Sequence, residues 1–145
     1  MKILALGGSG GMGRFAVSTS MHFENVSEII VADINADSAV TFANSMNEKV
    51  SGIGLDVTDI DGLKRQMEKV DVVINTVGPF YKFGPPILEA AIDVGCHYLD
   101  INDDWEPTLE MLKLHKKAED NSTTAILGMG ASPGLTNMLG AAAMH

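Results

Sequence analysis

The 145-residue chain has a single cysteine, Cys96, so it can build neither an internal disulfide nor a cysteine-based metal site. Its neighbours, Val94-Gly95 before and His97-Tyr98 after, read as the entry to a buried strand and make Cys96 a packed thiol rather than a reactive one. Positive charge is also scarce. Ten lysines and arginines stand against 19 acidic residues, net −9, with no basic cluster, so nucleic acid and anionic membrane surfaces are poor partner candidates. No apolar run approaches the ~20 residues needed to cross a bilayer. No secretory leader is expected ahead of the first apolar segment, and the cytoplasm is the expected compartment.

What the chain does have is alternation. Short apolar runs are expected as strands at Lys2 to Leu6, Glu28 to Asp33, Val50 to Leu55, Asp71 to Asn75, Cys96 to Ile101 and Thr124 to Leu127. Amphipathic stretches lie between them. The first runs from about Gly11 to His22, the second starts on an Asn35 cap, and the third starts on Thr58 or Asp59. The fourth is opened by Pro85 and Pro86, and the fifth covers Pro107 to about Glu119 with Leu109, Leu112 and the His115 side inward. Strict strand–helix alternation predicts an α/β fold, a doubly wound parallel sheet in the Rossmann order 3-2-1-4-5-6. Residues 1–128 are read as a dinucleotide-binding domain and 129–145 as the start of a connection to an absent C-terminal substrate domain.

The most informative stretch is Gly8-Ser9-Gly10-Gly11-Met12-Gly13, a G-x-G-x-x-G between the first strand and the first helix. Gly8 permits a sharp turn, Gly10 lets a pyrophosphate approach the backbone, and Gly13 lets the helix pack closely on the strand. The helix start then offers free amides and a positive dipole end to the phosphates. Asp33 closes the second strand, about 20 residues on, where a carboxylate accepts the ribose hydroxyls. Ile34-Asn35 follows with no arginine to clamp a 2′-phosphate, so NAD is expected over NADP.

Ligands of such sheets bind beyond the carboxyl ends of the strands. Asp56 and Val57 therefore fall where adenine lies, Asp56 either accepting from its amine or capping the next helix. Asn75, Thr76, Val77 and Gly78 fall beside the phosphates and the nicotinamide ribose. Asp100, Asn102, Asp103 and Asp104 gather after the fifth strand, either facing substrate or forming a solvated, helix-capping loop. His97 and His115 read as packing and surface residues. No histidine has a spacing that would complete a metal site with these acids, and no metal is expected.

Taken together, the glycine hexapeptide, Leu55-Asp56-Val57-Thr58-Asp59, Tyr98-Leu99-Asp100 and above all Pro133-Gly134-Leu135-Thr136-Asn137 resemble the saccharopine dehydrogenase family, specifically its N-terminal NAD(P)-binding Rossmann domain. The resemblance covers nearly the whole chain. It implies an oxidoreductase that moves hydride between a nicotinamide cofactor and the C–N bond of an amino-acid-type substrate, homodimeric when full-length and inactive as this portion alone. Pro79, Asp100, Asn102, Asp103, Trp105, Pro133 and Gly134 would then border the substrate, while no catalytic acid or base carries over. Two alternatives stand beside it: a non-catalytic dinucleotide sensor of the NmrA-like type, and a reductase of the same broad family with another substrate. The absence of Tyr-x-x-x-Lys argues against an ordinary short-chain dehydrogenase, and the Pro133 element favours the saccharopine-type reading over the sensor.

Overall fold

The computed structural model describes residues 1–144; His145, the last residue of the expected 129–145 connection, lies outside them. The elements alternate as β1 (Lys2–Leu6), α1 (Gly11–Ser20), β2 (Glu28–Asp33), α2 (Ala36–Asn44), β3 (Val50–Gly54), α3 (Ile60–Met67), β4 (Val72–Asn75) and α4 (Phe80–Asp93). Then follow β5 (His97–Asp100), α5 (Trp105–Leu112), α6 (His115–Asp120), β6 (Ala125–Ile126) and, after an irregular turn over Ala131–Leu135, α7 (Thr136–Ala143). The sheet is six-stranded and parallel throughout, in the order β3-β2-β1-β4-β5-β6. This is the order expected from the alternation.

β1 shows why the sheet is covered on both sides. Successive side chains of a strand point to opposite faces. Ile3 and Ala5 accordingly join Val17, Val31, Ala39 and Phe42 under α1 and α2. Leu4 and Leu6 join Leu63, Met67, Ile87 and Leu88 under α3 and α4. All four β1 residues are nearly solvent-free, so the strand reads as a continuous apolar run. Leu6 lies level with Ala32 on β2 and Asn75 on β4, which brings the carboxyl ends of the three strands together.

The helices depart from the sequence reading in three places. The first helix stops at Ser20 instead of His22, in a turn closed by the His22 and Phe23 amides on Thr19 and Ser20. α4 begins at Phe80 rather than at Pro85, and both prolines sit inside it. The carbonyls that Pro85 and Pro86 leave without a donor belong to Tyr81 and Lys82, residues exposed to water. The expected helix from Pro107 to Glu119 is two helices, because the amides of Lys113 and Leu114 reach back to Glu110 and Met111 in tightened turns. The inward face also differs from the expected one: Pro107, Met111 and Ala118 are buried, whereas His115 is exposed and Leu109 and Leu112 are more than half exposed.

Candidate functional site at the carboxyl ends of the strands

The turn after β1 is pinned from both sides. The Gly7 and Gly8 amides donate to the Ala32 carbonyl at 2.9 and 3.3 Å, and Thr76 Oγ1 donates to the carbonyls of Leu6 and Gly7 at 2.8 and 3.2 Å. A Cβ on Gly13 would overlap the Gly7 carbonyl oxygen and lie 2.6 Å from Gly8 Cα. Gly13 is therefore what lets α1 seat against the turn. Gly11 and Gly78 differ, since a Cβ on either meets nothing within 4 Å. Those backbones face open space that a ligand can enter. No side chain caps the start of α1, so its first amides remain available to an anion.

A cleft of about 470 Å³ opens beside this turn. Among the residues singled out from the sequence, Gly10, Asp33, Asp56, Val57, Thr76, Val77 and Gly78 line it. Lys82 and Phe83 also line it and were missed. In the sequence they belong to a stretch read as loop before Pro85, and it is the early start of α4 that turns them to the cleft. Ser9, Gly11, Met12 and Gly13 stand behind or beside the cleft, in the turn and first turn of α1.

Two carboxylates at this edge are already held. Asp33 Oδ2 accepts from Ser9 Oγ at 2.6 Å and Oδ1 from the Asn35 amide at 3.2 Å. Asp56 Oδ1 accepts from both the amide and the hydroxyl of Thr58, at 2.9 and 2.7 Å. Those Thr58 bonds, with the nearby charge of Lys82, hold the Asp56 carboxyl below its ordinary range. Asp56 thus braces its own turn at the edge of the cleft.

Asn75 does not face the cleft. It is fully buried, its Oδ1 accepting the Val77 amide at 3.0 Å and its Nδ2 donating to the Tyr98 hydroxyl at 2.9 Å. Tyr98 donates onward to Asp100 Oδ2 at 3.0 Å, and Asp100 Oδ1 accepts from the amides of Gly128 at 2.7 Å and Asn102 at 3.1 Å. Burial pushes the Asp100 carboxyl above its ordinary range, against the pull of those three donors. Burial and the neighbouring carboxylate push the Tyr98 phenol well above its usual value. This network fastens the ends of β4, β5 and β6 to one another beneath the surface.

The residues expected near substrate separate accordingly. Asn102, Asp103, Trp105 and Pro133 meet around a second, shallower cleft of about 410 Å³. Asn102 is itself almost solvent-free and braces the loop, donating to Thr108 Oγ1 at 2.7 Å and accepting from the Asp104 amide at 3.0 Å. Asp100 lies below the cleft. Gly134, at φ +98°, makes the turn before α7, and a Cβ there would lie 2.8 Å from the Gly128 carbonyl oxygen. Pro79 stands apart as the exposed residue preceding α4. Among the described residues no group of three or more His, Cys, Asp or Glu could hold a metal ion, and no helix is long and apolar enough to cross a membrane.

A parallel sheet with this strand order, an uncapped helix start behind a glycine turn and a cleft of about 470 Å³ at the strand ends defines a dinucleotide-binding domain. The chain belongs to the saccharopine dehydrogenase family: the family model described as saccharopine dehydrogenase NADP binding domain matches residues 3–126. A probable mitochondrial saccharopine dehydrogenase-like oxidoreductase of Arabidopsis thaliana is 27% identical over 141 residues, covering 88% of this chain and 31% of the relative. The human saccharopine dehydrogenase-like oxidoreductase is 32% identical over 89 residues, 59% of this chain and 20% of the relative. The apo saccharopine dehydrogenase (L-Glu forming) of Saccharomyces cerevisiae superposes with a TM-score of 0.79 at 23% identity, over 92% of this chain and 28% of that one, and shares the fold. This chain spans about a third or less of the length of these proteins.

The family match corrects the expected cofactor. The domain is an NADP-binding one, and the expectation of NAD, drawn from Asp33 and the lack of an arginine after β2, is overturned. Asp33 is held in place with one oxygen accepting from Ser9 and the other from the Asn35 amide, and each oxygen keeps a lone pair for a ribose hydroxyl. The residues present fit NADP in the cradle they form, with Gly11 and Gly78 leaving space that a side chain would fill.

Proposed function

We propose that this chain is the cofactor-binding part of an oxidoreductase acting at the C–N bond of an amino-acid-type substrate with NADP, in an enzyme that works as a homodimer. The observation that carries the cofactor half is the cleft at the strand ends, with open backbone at Gly78 on one wall and the held carboxylate of Asp33 on the other. Family membership supports the substrate half. When bound, NADP supplies or accepts the hydride. The chain's own contribution is binding and orientation. The glycine turn and α1 amides hold the pyrophosphate, Asp33 meets the ribose, and the turn at Asp56 and Val57 borders the adenine. Thr76 locks the β4 loop to the glycine turn, so the two walls are set before ligand arrives.

Calorimetric titration of the chain with NADP⁺, wild type against Gly78→Val, tests the cleft. The Cβ of the new side chain meets no protein atom within 4 Å, so the fold should tolerate it while affinity falls by ~10-fold or more. Failure of the wild type to bind refutes the reading. The substrate class is tested on the whole enzyme of which this chain is the cofactor-binding part, by following NADPH consumption with an amino acid and a 2-oxo acid presented together. Consumption that ignores the amine refutes the C–N assignment.

A further inference from the structure

A 2′-phosphate needs a cation at the ribose edge of the cleft, and the segment after β2 offers none. The first helix does. Arg14 follows Gly13 directly and is exposed. Its Nε donates to the Ser9 carbonyl at 2.6 Å, and its guanidinium carbon lies 4.6 Å from the centre of the Phe42 ring on α2. Ser9 in turn donates its hydroxyl to Asp33 at 2.6 Å. One residue thus links the guanidinium to the carboxylate that marks the ribose edge.

The two contacts also fix the group's orientation. The Nε bond and the stack on Phe42 set the guanidinium plane while leaving both Nη atoms unused, and among the described residues Arg14 joins no ion pair. A planar guanidinium with two free Nη groups matches phosphate oxygens in a two-pronged geometry that an ammonium cannot reproduce. The rival cation is Lys82, which lines the cleft on the Asp56 side and lies 4.8 Å from the centre of the Phe83 ring. Its charge already acts on Asp56, at the adenine edge.

We propose that Arg14, reaching around Ser9 from the start of α1, binds the 2′-phosphate of NADP and sets the preference for NADP over NAD. The proposal rests on the cleft being the dinucleotide site. It replaces the arginine after β2, which the sequence lacks, with one delivered by the glycine turn.

The test is calorimetric and needs no turnover. NADP⁺, NAD⁺, 2′,5′-ADP and 5′-AMP are titrated into the wild-type chain, Arg14→Met, Arg14→Lys and Lys82→Met. Wild type binds 2′,5′-ADP more tightly than 5′-AMP, with an advantage that shrinks as salt rises. Arg14→Met loses ~10- to 100-fold in affinity for NADP⁺ and 2′,5′-ADP, while NAD⁺ and 5′-AMP change less than about twofold. Arg14→Lys recovers part of the loss, and Lys82→Met leaves the discrimination intact. An equal loss for NADP⁺ and NAD⁺ in Arg14→Met overturns the proposal, because Arg14 then only braces the turn through Ser9. Transfer of the discrimination to Lys82 overturns it as well. Wild-type chain that binds neither dinucleotide overturns the cleft assignment itself, an outcome distinct from tight NADP⁺ binding that ignores Arg14.

Discussion

Tyr98→Phe removes one oxygen atom from a side chain that is 1% exposed and leaves the ring in place. The oxygen sits between Asn75 and Asp100, both wholly buried, at 2.9 and 3.0 Å. Its removal leaves Asn75 Nδ2 without an acceptor and Asp100 with the Gly128 and Asn102 amides alone. A buried polar group deprived of its partner costs about 1–3 kcal/mol. The two donors that Asp100 keeps both serve Oδ1 and leave Oδ2 bare, so the variant should lose about 2–6 kcal/mol in total, or roughly 5–20 °C in melting temperature for a chain of this size. Urea unfolding followed by circular dichroism measures the loss, with an unchanged m-value showing that the unfolded state is the same. The penalty also depends on pH. The Tyr98 hydroxyl favours the charged form of Asp100, whose carboxyl is raised by burial. The loss is therefore full where Asp100 is ionised and shrinks as pH falls through its raised pKa. A loss below about 0.5 kcal/mol at neutral pH, the scale of an ordinary surface change, would refute the account of a network that holds the strand ends.

Three further outcomes follow from the same geometry. Gly13→Ala puts a methyl group into the backbone of Gly7 and Gly8, neither of which can yield, and should cost about 3 kcal/mol or prevent folding in a thermal melt. Asp93, joined to Lys64 at 2.7 Å and Lys117 at 2.5 Å, ties α4 to α3 and α6, and both bonds hold its carboxyl below the usual range. Their contribution is present above the unfolded-state pKa and is lost as pH falls through the lower folded value. Asp93→Asn should thus cost about 1 kcal/mol at neutral pH and little in acid, measured by urea unfolding across pH. Burial and Asp71 push the Cys96 thiol up to about 11, so a thiol reagent at mildly alkaline pH should leave it unmodified until the chain unfolds.

The sheet was legible because its causes are local. Ile3-Leu4-Ala5-Leu6, Ile29-Ile30-Val31-Ala32 and Val72-Val73-Ile74 are apolar without a break, as strands covered on both faces must be, and glycine and cap residues punctuate them. Asn35 and Asp59 cap α2 and α3 through bonds to residues three positions on, which a short stretch of sequence contains in full. The misreadings fall where a distant neighbour decides. α4 could start before its prolines because Tyr81 and Lys82 face water, and the helix after β5 broke where Leu114 turned toward the core.

The same division runs through the site. The order of residues by itself determined the strand–helix alternation, the glycine turn after β1 and the acid at the end of β2, since turn sterics and apolar periodicity act over a few neighbours along the chain. Tertiary structure alone decided what those residues face. Asn75 stands level with Asp100 across the sheet, so it turns into the buried Tyr98 network and not toward the cleft. Asp33 accepts from Ser9 and Asn35, and Arg14 comes to lie beside Ser9 because α2 presents Phe42 next to α1. Such contacts join residues far apart in the chain. Which partner a side chain finds is set by lateral strand register and helix packing, quantities that no local pattern encodes.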